Sequence, residues 1–229
     1  MKWIDFEAKS AEEILAWAVP KFGSRLGLAS SFGMEDMVLI DMISKMNAPV
    51  TVFTLDTGRL HEETYATMEK ARSRYGIEIK SYFPKSADVE TLVSTKGFYS
   101  FRESIENRKE CCAIRKMEPL SRALSELDAW MTGLRREQSV TRTDIPKAGP
   151  DLNNLHLVKL NPLADWTEDQ VKAYIEKHEV PVNPLHQRNF PSIGCAPCTR
   201  AIEPGEDIRS GRWWWENPEH KECGLHRPK

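Results

Sequence analysis

The 229-residue chain has no apolar run approaching membrane-spanning length, and Met1–Asp5 do not resemble a secretory signal. Both absences point to a soluble, cytoplasmic protein. Charge of either sign is not in excess: 32 lysines and arginines against 34 aspartates and glutamates leave a formal net charge of -2, without the basic footprint of a general nucleic-acid binder. Any anion site is therefore local. There is no internal repeat and no low-complexity linker; the nearest thing to a break is 144–154, rich in Pro, Gly and polar residues, which reads as a loop within one domain. Neither a Walker loop nor a dinucleotide fingerprint occurs.

Cysteine is scarce, five in all, and its placement is the most informative feature present: adjacent Cys111 and Cys112, the pair Cys195 and Cys198 in Cys-Ala-Pro-Cys, and Cys223 alone. In a reducing compartment spaced cysteines bind metal or do redox chemistry more readily than they form structural disulfides. Four of them suit zinc or an iron-sulfur cluster, and one is left to react. Adjacent residues point in different directions, so both sulfurs of Cys111-Cys112 reach one zinc tetrahedron only with backbone distortion, whereas a cubane offers separate iron corners.

Hydrophobic periodicity alternates helix and strand. Ser10-Ala11-Glu12-Glu13 has capping-box spacing and opens a helix through Ala18; Thr167-Glu168-Asp169-Gln170 repeats that spacing ahead of a helix reaching His178. Strands are predicted near 26–29, 50–55, 77–83, 130–132 and 155–160, with helices near 34–46, 61–75 and 115–127. His61-Glu62-Glu63-Thr64-Tyr65 lacks the second histidine of a zinc-protease helix and reads as a helix start. Such alternation predicts parallel βαβ units with helices on both faces and a site at the carboxyl ends of the strands. Three polar segments fall at such ends: Ser30-Ser31-Phe32-Gly33-Met34-Glu35-Asp36, Leu55-Asp56-Thr57-Gly58, and Gly133–Arg142 with arginines at 135, 136 and 142. Small residues before a helix and guanidinium groups at a strand end both suit phosphate or sulfate.

These segments, with Glu222-Cys223-Gly224-Leu225-His226, resemble the assimilatory adenylyl-sulfate (APS) reductases of the family that also contains the phosphoadenylyl-sulfate (PAPS) reductases. The resemblance spans most of the chain. It implies an adenine-nucleotide α-hydrolase-like, Rossmann-like, mostly parallel sheet in a single domain over 1–229, with a mobile tail from 203 carrying the nucleophile. It implies reduction of APS to sulfite and AMP, with thioredoxin or glutaredoxin as reductant. Cys-Cys followed distantly by Cys-x-x-Cys marks the family members that hold a [4Fe-4S] cluster, here on Cys111, Cys112, Cys195 and Cys198. Substrate binding is implied for Ser30, Ser31, Phe32, Gly33, Leu55, Asp56, Thr57, Gly58, Gly133, Arg135 and Arg136.

The chemistry can be followed on the residues. A sulfate-phosphate anhydride has an electrophilic sulfur, so a thiolate such as Cys223 displaces AMP and becomes an S-sulfonate; a second thiol then expels sulfite. His226, three residues on, is a candidate assistant. The departing charge needs cations: Lys116, four residues after Cys112 on one face if a helix starts near Cys111, and Arg209 and Arg212, three apart. The run Trp213-Trp214-Trp215 reads as packing. The alternatives are a PAPS reductase, an ATP-dependent sulfurtransferase of the PP-loop type, and a zinc-binding interaction module.

Overall fold

The structure, a computed structural model, describes residues 5–139 and 142–217. Cys223 and His226 lie outside the described residues. The expected capping boxes form. Ser10 Oγ accepts from Glu13 N (3.1 Å) and Glu13 Oε2 from Ser10 N (2.8 Å), opening α1 (Ala11–Phe22). The Thr167 and Gln170 side chains make the same reciprocal pair ahead of α7 (Glu168–His178). Each box satisfies two amides that the first helical turn leaves without partners.

Between these helices run β1 (Leu26–Ala29), α2 (Met34–Lys45), β2 (Thr51–Leu55), α3 (Glu62–Tyr75), β3 (Ile79–Tyr82), α4 (Ser86–Lys96), α5 (Ile105–Cys112), α6 (Glu118–Leu124), β4 (Ala129–Met131), β5 (Ala148–Pro150) and β6 (Val158–Leu160). The strands form one sheet in the order β3-β2-β1-β4-β6-β5. The pairs β1 with β2, β1 with β4 and β4 with β6 are parallel; β5 runs antiparallel to β6. The order reverses beside β1, whose neighbours are β2 on one side and β4 on the other, so the loops leaving β1 and β4 flank the switch point where such sheets bind ligands.

Two differences from the sequence reading have physical causes. The helix expected over 115–127 is the shorter α6, with Pro119 in its first turn, entered through a π-helical turn over Ala113–Met117 that continues from α5, a helix the sequence reading does not contain. Proline is tolerated in a first turn because the amides there have no intrahelical partner. Part of the expected 144–154 loop is β5, which pairs its backbone with β6 despite its Gly and Pro: as an edge strand it needs donors on one side only.

The chain forms two compact units. One comprises Met1–Thr54, Glu63–Lys80 and Glu126–Asn183; the other comprises Leu55–Glu62, Ser81–Ser125 and Pro184–Lys229. Residues 203–217 belong to the second unit. Its three segments are distant in sequence, so no composition shift marks it. In the first unit Ile14 and Leu15 of α1, Leu26 and Leu28 of β1, Met37–Ile40 of α2 and Val171 of α7 make a continuous apolar core. Tyr174 of α7 donates to buried Asp41 of α2 (2.7 Å). Gly27 has no room for a side chain: a Cβ there would stand 2.5 Å from Leu127 Cδ1 and 3.1 Å from the Phe53 ring. Among the described residues, no helix is long and apolar enough to cross a membrane.

Candidate functional site

In the first unit the turn after β1 leads into α2. Phe32 adopts φ 59°, a left-handed conformation costing a non-glycine residue roughly 1 kcal/mol or more. Two contacts hold it there: its ring is fully buried, and its amide donates to Ser30 Oγ (3.1 Å). The Phe32 ring thus keeps the turn tight enough for Gly33 to begin α2, whose N-terminus has no side-chain cap and offers its amides and dipole to an anion.

Asp36 braces this turn. Its carboxylate accepts from Ser31 N (2.6 Å), Ser31 Oγ (2.9 Å) and Gly133 N (3.2 Å). Burial pushes its pKa up to about 6, with the three hydrogen bonds opposing. Gly133, just past β4, is forced by this contact: a Cβ would lie 2.5 Å from Asp36 Oδ1 and 3.0 Å from the Asp36 amide nitrogen. Ser30, Ser31, Phe32, Gly33 and Gly133 are thus brought together at the switch point.

The arginines of the Gly133 loop are used internally. Arg135, buried, donates to Glu35 (2.8 Å), Glu137 (3.3 Å) and the Trp166 carbonyl (3.2 Å). Arg136 binds Glu7 (2.5 Å) and the Ile145 carbonyl (3.0 Å). Arg142 is also buried and reaches Gln138 Oε1 at 2.7 Å. The two arginines chosen from sequence therefore spend charge on carboxylates that hold the loop in place.

In the second unit, Cys111, Cys112, Cys195 and Cys198 line one recess, all with free thiols. Cys112 ends α5, and Cys195 and Cys198 flank a 3-10 turn closed by Cys198 N donating to Cys195 O (2.9 Å). The Leu55–Gly58 segment ties the two pairs together. Thr57 Oγ1 meets Cys195 Sγ at 3.2 Å; the Thr57 carbonyl accepts from Arg115 Nη1 (2.6 Å) beyond Cys112; and the carbonyl of Arg59 accepts from Ala196 N (2.8 Å). Gly58, at φ 70°, makes the turn possible, its amide donating to Asp56 Oδ1 (2.8 Å).

Five cations share that recess: Arg59, Arg108, Arg115, Lys116 and Arg212. Arg108, fully buried, pairs with Glu216 (2.5 Å). Arg115 and Arg212 are buried, have no ion pair with a carboxylate among the described residues, and each leaves its Nε without a hydrogen bond. Burial raises the Cys111 thiol, against Arg115 and Arg59, and pushes Cys198 up to about 12. Burial would raise Cys195 too, yet Lys116, the Thr57 hydrogen bond, Arg212 and Arg115 together bring it below a thiol's ordinary value. Arg209 is half-buried on the turn before Arg212 and accepts the Arg212 amide at its carbonyl (2.9 Å). Lys116 falls in the π-helical turn rather than one α-turn beyond Cys112, and its charge still acts on Cys195.

The sequence pattern of the phosphoadenosine phosphosulfate reductase domain matches residues 25–201, well over half of the chain. The chain belongs to this family. A relative in Burkholderia cepacia, named adenosine 5'-phosphosulfate reductase, is 52% identical over 202 residues, spanning 88% of this chain and 80% of that protein. The same name is carried by a relative in Allochromatium vinosum, 54% identical over 87% of this chain and 77% of its own length. Among solved structures, the phosphoadenylyl-sulfate reductase of Candida auris in its phosphate complex aligns at a TM-score of 0.72 with 30% identity, over 86% of this chain and 92% of that one. The FMN adenylyltransferase of Candida glabrata, at 15% identity and a TM-score of 0.57 over 95% of this chain and 74% of that one, shares the fold alone. The mostly parallel adenine-nucleotide α-hydrolase-like fold expected from sequence is therefore the fold observed.

Asp36 falls within the segment Ser30–Asp36 noted from sequence, though without a role of its own; Arg59, Arg108 and Arg115 are not among the expected site residues. Arg108 had a usable signal, since it precedes Cys112 by four residues and so shares its helical face. Arg59 and Arg115 carried none, because their partners are distant in sequence.

Proposed function

We propose that the protein reduces adenylyl sulfate to sulfite and AMP through an S-sulfonate on Cys223, in the assimilation of sulfate toward cysteine. The single observation that carries this reading is the recess in which four cysteines meet two buried guanidinium groups, Arg115 and Arg212, that have no carboxylate partner among the described residues. Buried charge without compensation costs several kcal/mol, on the order of the worth of a whole buried ion pair. The recess therefore calls for an anionic occupant. A [4Fe-4S] cluster ligated by Cys111, Cys112, Cys195 and Cys198 fits: the donor set is all thiolate, and the ligated cluster is net anionic. When bound, such a cluster supplies fixed negative charge and ties the two cysteine pairs into one body. Zinc fits less well because the first pair is adjacent.

The chain's own groups account for the reaction. The Cys223 thiolate attacks the sulfur of APS, the bond from sulfur to the phosphate oxygen breaks, and AMP departs with the electron pair. A thiol of an external dithiol, thioredoxin or glutaredoxin, then attacks the Cys223 sulfur and expels sulfite; its second thiol resolves the mixed disulfide and restores Cys223. Lys116 and Arg212, with Arg209 three residues before Arg212, supply positive charge for the sulfate end. The turn Ser30–Gly33 and Gly133 suit the nucleotide phosphate. Asp36, Arg135 and Arg136 hold that turn and its neighbouring loop, and Leu55–Gly58 holds the cysteine elements in register. His226, three residues on from Cys223, is the candidate to assist the thiolate. The protein works in the cytoplasm, where dithiol reductants are available.

The test is mass spectrometry of anaerobically purified protein mixed with APS and no reductant. One added sulfonate on the wild type and none on a Cys223→Ser variant supports the reading; labelling at another cysteine sinks it. An iron assay with an absorbance spectrum tests the cluster, and a colourless protein containing zinc refutes it. Comparing kcat/KM with and without a 3′-phosphate on the substrate separates APS from PAPS use.

A further inference from the structure

Arg212 is fixed at both ends against the loop that carries Cys195 and Cys198. Its backbone forms a bridge with Thr199, the next amide, Trp213 N, donates to Cys198 O (3.1 Å), and Arg200 N donates to Gly211 O (3.0 Å). Gly211 allows this approach, since a Cβ there would stand 2.3 Å from the Arg200 carbonyl oxygen. The head is held just as closely. Its Nη1 donates to the Ile193 carbonyl (3.2 Å) and reaches Ser192 Oγ at 3.5 Å. One face of the guanidinium meets the Trp213 ring, 4.6 Å from the centroid. On Gly194, an ideal Cβ would lie 2.3 Å from Nη2, 2.5 Å from Cζ and 2.9 Å from Nη1. These three distances place the guanidinium flat over the Gly194 α-carbon.

No left-handed backbone explains this glycine: Gly194 is absent from the residues of positive φ. Its missing side chain is occupied space, filled by the cation. The clash of an added Cβ is with the end of a side chain, which elsewhere would swing aside at little cost. Here Arg212 is only 7% exposed and confined by Trp213 on one side and the Ser192–Gly194 backbone on the other, so a displaced guanidinium has the cysteine recess to move into and leaves its present position.

We propose that Gly194 is a positioning residue for substrate recognition: by leaving its Cβ position to Arg212, it sets where the cation that receives the sulfate end of the nucleotide stands. This rests on the reading of the protein as an APS reductase. The role differs from that of the neighbouring cysteines, because Gly194 acts only through Arg212.

The experiment measures equilibrium binding of APS and of AMP to anaerobically purified protein carrying Cys223→Ser, which blocks turnover, with iron per chain determined for every variant. Gly194→Ala is expected to weaken APS binding about 10- to 100-fold, as for loss of a buried charged contact, while leaving AMP, which has no sulfate, unchanged. In an Arg212→Ala background the same glycine substitution has nothing to displace, so its effect on APS falls below about twofold. Unchanged APS affinity, equal weakening of APS and AMP, or the same loss in both backgrounds overturns the proposal. If Gly194→Ala alone fails to fold, folding of the Gly194→Ala/Arg212→Ala protein supports the clash and failure of both overturns it. A parent protein that binds AMP but not APS defeats the underlying reading instead, and the proposal with it.

Discussion

Replacing Glu216 by glutamine tests how the last described residues are joined to the cysteine recess. Arg108 on α5 and Glu216 are 0% and 4% exposed, 2.5 Å apart, and the guanidinium lies 4.7 Å from the centroid of buried Trp213. Removing one partner of such a pair strands a buried charge, which costs about 3–5 kcal/mol. The glutamine oxygen can still accept from Arg108 Nε, recovering about 1 kcal/mol of hydrogen bonding, so the expected loss is about 2–4 kcal/mol. Against the roughly 5–15 kcal/mol that holds a typical domain, at least about an eighth is removed. The assay is urea denaturation of iron-matched wild-type and Glu216→Gln proteins. Because Arg108 sits one helical turn before Cys112, iron per chain is also expected to fall. Arg108→Met with Glu216→Leu should regain most of the stability, since an apolar pair has no charge to desolvate. A Glu216→Gln protein within about 0.5 kcal/mol of wild type would refute the claim that this pair is desolvated and structurally decisive.

Asp36 gives a pH signature. Its folded pKa of about 6 exceeds the ordinary 3.8, so the folded state holds a proton that the unfolded chain releases, and stability falls as pH rises through that window. The gap between wild type and Asp36→Asn should therefore shift by about 3 kcal/mol against wild type between pH 3.8 and pH 7, and parallel urea midpoints would contradict it. Gly133→Ala presses a Cβ against the Asp36 amide nitrogen at 3.0 Å, where backbone cannot yield easily; a loss of about 1–3 kcal/mol and weaker AMP binding are expected, by denaturation and by titration. Thr57→Val removes the 3.2 Å contact to Cys195 at nearly constant volume, and should change the absorbance spectrum of the iron-loaded protein while leaving AMP affinity as it is.

Local signals in the chain specify structure where the physics is local. Ser10 with Glu13 and Thr167 with Gln170 specify helix starts within four residues, and both boxes form. Strand periodicity located β1, β2 and β4 closely enough to put Ser30–Asp36 and Gly133 at strand ends. It missed α5 and the π turn at 113–117 that leads from it into α6, and it missed β5, whose Gly and Pro look like a loop until β6 lies beside them.

The sequence by itself determined the inventory: five cysteines, four of them in two close pairs and one alone, cations enough for an anionic substrate, and the alternation of an α/β sheet. Only the tertiary structure decided which cations are committed. Arg135 and Arg136 look as suited to an anion as Arg212 does, yet they meet Glu35 and Glu7, whereas Arg115 and Arg212 are buried with no carboxylate partner among the described residues. The physical reason is that charge compensation is set by desolvation and by partners far along the chain. Arg115 meets the carbonyl of Thr57, and Arg135 the carboxylate of Glu35. Such pairings exist only once the chain has closed on itself.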